Sequence, residues 1–252
     1  MCTLIVFHQP GHPWPLLMGA NRDELLTRPW KQPGRHWHDH PHVVAGLDEL
    51  GGGSWFGLND NGVVASIMNR RNTLGPAPGK RSRGELVLQA LMHDAARTSV
   101  DALALIDPGS YRAFNLVIAD CKNAFWLRHT GAGEHAHIEV RDLPPGLNMI
   151  TAYDVNDTSS PRIRRYLPLL LAAPVPDPER GDWSAWKSML ASTASDPGIG
   201  PLGAMNVVTN YGFGTVSSLL LALPASDRSI IKPVWKFADG RPDLVAFHDV
   251  ML

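Results

Sequence analysis

Two cysteines, Cys2 and Cys121, are all that this 252-residue chain contains. So few exclude a disulfide scaffold and fit a reducing compartment. A formal net charge of -1 leaves no basic field. Nucleic acid is therefore excluded as the main partner, because phosphate binding needs clustered Lys and Arg. Long apolar runs are scarce too. Leu4-Ile5-Val6-Phe7 is too short, and lacks the basic leader, for a secretory signal, and no segment approaches the length of a membrane span. The expectation is a cytoplasmic protein without a membrane span. Internal repeats, heptads and low-complexity tracts are also missing.

What is present is ordinary globular composition with strong punctuation. Hydrophobic residues make up 44% of the chain, enough for a sizeable core. Short apolar runs recur in the first third: Leu4 to Phe7, Leu16 to Gly19, Val43 to Ala45, Trp55 to Leu58 and Val63 to Met68. Turn signals separate them, among them Asp60-Asn61-Gly62, where Asn-Gly accepts positive φ. The first third reads as a β-meander. Ser82-Arg83-Gly84-Glu85 has capping-box spacing before a helical pattern that runs to Ala95. A second short helix is expected over Val100 to Ile106. Strands return at Phe114 to Ile118, Ala124 to Leu127, His137 to Val140 and Leu147 to Thr151. Ser160-Pro161 opens a helix over Arg162 to Leu171, and another short helix runs from Asp182-Trp183 to Ala191. Ser217 to Leu223, Ile231 to Phe237 and Leu244 to Phe247 close the chain as strands. The proline-rich Pro174 to Pro178 is read as a loop within one domain, residues 1–252, because strands on both sides must pair. The order of elements is that of a layered α+β domain.

The richest chemical signal lies at the start, in Met1-Cys2-Thr3. A cysteine is small enough for methionine aminopeptidase to accept, so removal of Met1 is expected. Cys2 would then carry a thiol and a free α-amine on one carbon. That amine has an unperturbed pKa near ~8, so its neutral fraction at pH 7 can take the thiol proton. This is the self-contained pair of N-terminal nucleophile enzymes. The bland alternative is a small apolar residue that merely opens the first strand.

Asn21-Arg22-Asp23-Glu24 follows the second apolar run. The four residues can form a solvated turn at a strand end. If the strand continues, alternation sends Arg22 and Glu24 one way and Asn21 and Asp23 the other. Asp23 could then hold the α-amine by a charge-assisted hydrogen bond. Arg22 beside the thiol would lower its pKa and anchor an acidic substrate. The hairpin from Trp55 ends on Asn69. That amide belongs to the following turn or donates to a developing oxyanion, a role worth roughly 3–4 kcal/mol where it has been measured. Cys2, Arg22, Asp23 and Asn69 are thus the candidate catalytic residues. Asn21, Glu24, Trp55, Arg70 and Arg71 are the candidate substrate-binding residues.

Three other stretches carry weaker signals. Histidines alternate through Arg35-His36-Trp37-His38-Asp39-His40-Pro41-His42, a spacing that suits a metal or haem iron, but Asp39 and Pro41 favour an irregular loop. No metal site is expected. Gly51-Gly52-Gly53 lacks the Lys-Ser/Thr of a phosphate loop and reads as a flexible turn. Cys121, in Ala119-Asp120-Cys121-Lys122-Asn123, sits in turn chemistry and is read as incidental.

Taken together, Met1-Cys2, Ala20 to Glu24, Gly52 to Asn59, Gly62 to Arg71, Ser82-Arg83-Gly84 and Phe114 to Asp120 resemble the NRDE-motif family, also called the transport and Golgi organisation family. Tyr211 to Leu223 and Trp235 to Val250 resemble it as well. More distantly, the chain is similar to the choloylglycine-hydrolase branch of the N-terminal-nucleophile hydrolases. Cys2, Arg22, Asp23 and Asn69 match positions of that branch in type and order. The resemblance implies a four-layer αββα sandwich with Cys2 on an inner strand. The chain departs from that branch at Ile150-Thr151-Ala152, where a further asparagine is expected, and near Tyr211 to Thr215, where no arginine stands. Two functions follow from the resemblance. One is a hydrolase of an amide or thioester, with no cofactor required. The other is an intracellular carrier of haem or acyl-coenzyme A, in which the histidines and aromatics would serve haem and Arg22, Arg70 and Arg71 the coenzyme A phosphates.

Overall fold

The computed structural model describes residues 2–131, 137–228 and 230–252. Met1, and with it the expected cleavage, lies outside the described residues. The first elements are β1 (Thr3–His8), β2 (Leu16–Leu25), β3 (Trp30–Gly34), β4 (Val43–Asp48), β5 (Phe56–Asn59) and β6 (Val64–Asn69). Helices α1 (Gly84–Ala90) and α2 (Ala96–Leu103) follow, then β7 (Phe114–Ala119), β8 (Ala124–His129), β9 (Glu139–Asp142) and β10 (Gly146–Ile150). The chain closes with α3 (Pro161–Ala172), α4 (Ser184–Ala191), β11 (Phe213–Leu223), β12 (Val234–Ala238) and β13 (His248–Asp249). They divide into two units, Met1–Arg28 with Pro144–Val250, and Pro29–Leu143 with Met251–Leu252.

The first unit is a six-stranded antiparallel sheet in the order β10-β1-β2-β11-β12-β13. Its odd-numbered positions Ile5, Phe7 and Leu17 pack with Ile163, Tyr166 and Leu170 of α3 and Trp186 and Leu190 of α4. Leu4, Val6, Leu16 and Met18, on the other face, are buried too. Burial on both faces explains why β1 and the head of β2 read as continuous apolar runs rather than alternating ones. Each such side chain contributes about 1.5–3 kcal/mol. The Ser160 hydroxyl caps α3 by accepting from the Ile163 amide at 3.4 Å, and Pro161 takes a first-turn position, as the sequence predicts. Pro174 to Pro178 falls inside this unit, where Asp177 bridges to Asp182.

The second unit is a seven-stranded antiparallel sheet in chain order, β3 to β9. Leu86, Val87 and Leu91, with Ala96, Val100 and Leu103, cover one face of it. The Asp60-Asn61-Gly62 hairpin forms, with Gly62 at φ +82°. Gly51-Gly52-Gly53 is a packed turn. A Cβ on Gly53 would lie 2.3 Å from the Gly84 carbonyl carbon, and the Ser54 amide donates to the Gly84 oxygen at 3.0 Å.

Several expectations need correction. The first third is not one meander, since β1 and β2 belong to a different sheet from β3 to β6. Strand β3 was invisible because Lys31-Gln32-Pro33 carries no apolar alternation; its proline is tolerated because the strand forms a sheet edge. The capping box does not form. Arg83 occupies the cap without a side-chain bond, and the Glu85 carboxylate instead pairs with Arg81 at 2.7 Å and accepts from the Tyr111 hydroxyl. Helix α1 stops at Ala90 rather than Ala95, with the Asn59 amide donating to the following carbonyls of Leu91 (2.9 Å) and His93 (2.8 Å). Helix α2 begins at Ala96, earlier than expected, because Asp120 accepts from the Ala96 amide at 2.9 Å. Leu244 to Phe247 is not a strand: the Leu244 and Val245 amides turn back to the Arg241 oxygen, and His248–Asp249 pairs with β12 instead.

Candidate active site

Strand β1 pairs with β2 so that Thr3 is registered with Asn21. Cys2, at the head of β1, is thereby brought to Arg22 and Asp23. Its half-buried thiol donates to the main-chain oxygen of Asp23 at 3.8 Å. Burial pushes the thiol pKa up, the Asp23 charge adds to the rise, and Arg22 opposes it. The thiol is therefore mostly protonated near neutral pH, and a nucleophilic role requires a base beside it.

The Asn21 to Glu24 segment is not a solvated turn. Strand β2 runs on to Leu25 because β11 pairs with it through that stretch, Asp23 lying opposite Thr215. Asn21, Arg22 and Asp23 are buried. The Asp23 carboxylate accepts from Arg162 Nη1 at 3.0 Å and from the Thr215 hydroxyl at 2.7 Å. Side-chain exposure in this ion pair is 3% for Arg162 and 0% for Asp23, so it is held in a low-dielectric interior. Arg162 also donates to the Thr3 hydroxyl and, through Nη2, to the Leu202 oxygen at 3.1 Å. Thr215 in turn accepts from the Val207 amide at 2.8 Å. The Asn21 amide donates to the main-chain oxygens of Leu190 and Met205 at 2.8 and 2.9 Å, which fastens β2 to the end of α4. Glu24 is half-buried, accepts from the Leu25 amide at 2.9 Å and lies 3.7 Å from Arg28.

The other candidates belong to the second unit. Asn69 ends β6, half-buried, and its amide donates to the Arg70 oxygen at 3.1 Å. Arg70 Nη1 donates to the buried Asn115 side chain at 2.6 Å, and Arg71 is exposed. Trp55 lies edge-on to Trp30 at 5.6 Å. It also covers Gly46 so closely that a Cβ there would sit 2.3 Å from its ring. His36 to His42 form an irregular segment in which the His36 ring meets the Gln32 oxygen at 2.8 Å. Among the described residues no group of three or more His, Cys, Asp or Glu side chains is gathered for a metal, and no helix is long and apolar enough to cross a membrane. Cys121 is half-buried in the β7–β8 turn.

Sequence reasoning missed Arg162, Thr215 and Thr3. A signal for the first was present. Arg162 shares the buried face of α3 with Ile163, Tyr166 and Leu170, and a guanidinium on an apolar helix face demands a buried partner.

Solved structures with this architecture define the class. The chain superposes with a TM-score of 0.57 on a Caenorhabditis elegans N-acylethanolamine-hydrolyzing acid amidase ortholog, at 16% identity over 90% of this chain and 96% of that one. It superposes at 0.53 on a variant of conjugated bile acid hydrolase from Clostridium perfringens, with 12% identity over 98% and 92% of the two chains. For penicillin V acylase from Agrobacterium tumefaciens the TM-score is 0.50, with 11% identity over 99% and 98%. The α+β fold is thus that of the N-terminal-nucleophile hydrolases. Within that class, residues 1–164 match the Transport and Golgi organisation 2 family, and the chain belongs to it. The Transport and Golgi organization protein 2 homolog of Bos taurus is 36% identical over 110 residues, covering 42% of this chain and 38% of the relative. Its Homo sapiens counterpart is 35% identical over 114 residues, 43% and 40% respectively. The matched region spans less than half the length of each relative.

Proposed function

We propose that this chain is a cysteine N-terminal-nucleophile hydrolase that cleaves an amide or thioester bond in a small or acyl substrate, in the reducing environment of the cytoplasm. The observation that carries the reading is Cys2 at the head of β1, a strand flanked by β10 and β2, with its thiol on the Asp23 carbonyl. The amidase, hydrolase and acylase among the similar structures support it by fold. Burial raises the thiol pKa, which is why the mechanism needs the α-amine freed by loss of Met1. That amine takes the S–H proton, and the sulfur attacks the substrate carbonyl carbon to form a C–S bond. The ammonium then hands its proton to the departing amine nitrogen or thiol sulfur as the scissile bond breaks. Water adds to the resulting thioester and gives a proton to the amine. Collapse releases the carboxylic acid and restores the Cys2 thiol. Asp23, fixed by Arg162 and Thr215, orients the site, and Arg22 carries the positive charge beside the thiol. No cofactor enters this scheme.

The second reading, a carrier of acyl-coenzyme A or haem, is favoured by the same raised thiol pKa, because a protonated Cys2 is a poor nucleophile. Cys2→Ala and Cys2→Ser variants separate the two. A panel of acyl-amides and thioesters should be turned over by wild type but not by Cys2→Ala, with substrate binding largely retained, because the nucleophile acts in the transition state. Absence of turnover and of an acyl burst in wild type, with haem bound and its Soret band shifted, would instead establish the carrier.

A further inference from the structure

We propose that Arg162 is a positioning residue of the Cys2 site, one that holds the Asp23 carboxylate and the Thr3 hydroxyl together and offsets the Asp23 charge beside the thiol. The inference rests on the Cys2-centred reading above but does not need turnover to be tested. Three observations carry it. One guanidinium nitrogen, Nη1, serves both Thr3, the residue after Cys2, and Asp23, whose carbonyl receives the Cys2 thiol. The second nitrogen is pinned to the Leu202 oxygen at 3.1 Å, which leaves the fork little freedom. The pair is almost wholly buried, where charges are weakly screened.

Arg162 also bridges elements that the sequence keeps far apart. Thr3 lies on β1, Asp23 on β2, Arg162 on α3 and Leu202 in the segment before β11. The charges that act on Cys2 are the amino terminus, which favours the thiolate, Asp23 and Arg22 of β2 and, against Asp23, Arg162 of α3. Glu24 lies on the same strand and pairs with Arg28. Removing the Arg162 cation would let more of the Asp23 charge act on the thiol and raise its pKa further, because a nearby negative charge disfavours the thiolate.

The test is the pH dependence of Cys2 alkylation by iodoacetamide, read site by site by peptide mass spectrometry, with Cys121 in the same sample as the internal reference. In Arg162→Met the Cys2 midpoint should rise by about one pH unit, so its rate near neutral pH falls about tenfold while Cys121 is unchanged. Arg162→Lys keeps the charge and should restore the rate to within about threefold of wild type. A merely structural arginine gives the opposite sign, since loosening the packing exposes Cys2 and speeds its alkylation. Faster or unchanged alkylation in Arg162→Met overturns the proposal, as does an Arg162→Lys rate no higher than that of Arg162→Met. Should Arg162→Met fail to fold, the double variant Arg162→Met with Asp23→Asn removes both charges. The proposal expects its Cys2 midpoint at or below that of wild type, and a midpoint raised as far as expected for the single variant overturns it. Wild type without turnover would sink the hydrolase reading and leave this result standing.

Discussion

Both units lay two helices against one face of an antiparallel sheet, yet they treat charge in opposite ways. In the first, Arg22, Asp23 and Arg162 are buried, and an ion pair runs between sheet and helix. In the second, two guanidiniums gather loop carbonyls. Arg112 donates to the main-chain oxygens of Asn72, Leu74, Gly75 and Pro76 at 2.9 to 3.1 Å, and Arg83 binds Thr73 and Ala113. The carboxylate buried there, Asp120, serves the local backbone by receiving the amides of Ala96, Lys122 and Asn123. Dehydrating an ion pair costs several kcal/mol per ion, a loss that apolar packing would not incur. The buried pair of the first unit therefore adds little stability over apolar packing, as fits the positioning role proposed for Arg162.

The sharpest way to break this comparison is to remove one cation from each unit. Arg162→Met should cost about 3–5 kcal/mol in urea unfolding, because it takes the cation from a buried ion pair. Arg128→Met, which removes the partly exposed pair with Glu139 at 3.1 Å, should cost no more than about 1 kcal/mol. Equal losses would erase the distinction. Asn21→Ala should come next, at about 1–3 kcal/mol, since it leaves the Leu190 and Met205 carbonyls short of a donor. A fall in thermal midpoint checks it, and an unchanged midpoint would deny Asn21 its fastening role.

In the second unit, Asn69→Ala removes one half-buried bond to Arg70 and should cost about 1 kcal/mol or less. The oxyanion role that the sequence assigns to Asn69 would add a fall of ~100-fold in kcat, so the two readouts separate turn from chemistry. An effect confined to alkaline pH belongs to Tyr111. Burial, then its hydrogen bond to Glu85, pushes its pKa up to about 12, against ~10 in an unfolded chain. The folded state holds this proton more tightly, so the contribution is fully present below ~10 and is lost as pH rises through that window. Tyr111→Phe should flatten alkaline unfolding between those values; an unaltered alkaline limb would show that Tyr111 contributes nothing.

How much of this was legible in the sequence depended on how local the signal was. The Asn61-Gly62 hairpin, the Ser160-Pro161 helix start and the β7–β8 pair all announce themselves within a few residues. The adjacency of Cys2 to Arg22 and Asp23 was legible for the same reason, because the first two strands form a hairpin. Strand β3 was not, since its residues are polar and it is held by backbone pairing to β4. The partner of Arg162 was not, because Asp23 is 139 residues away and only the tertiary fold joins them. The polar run through Glu24 left turn and strand both open for a related reason: β11, which pairs with it, lies near the other end of the chain.

The proposal that Cys2 is the nucleophile and its own α-amine the base can be checked by the intact mass of the purified protein before and after incubation with a panel of acyl-amides and thioesters. The expected result is a mass short of Met1, and on incubation a transient acyl adduct that maps to Cys2 and is missing from Cys2→Ala. A mass that retains Met1, with no adduct formed from any member of the panel, would contradict it.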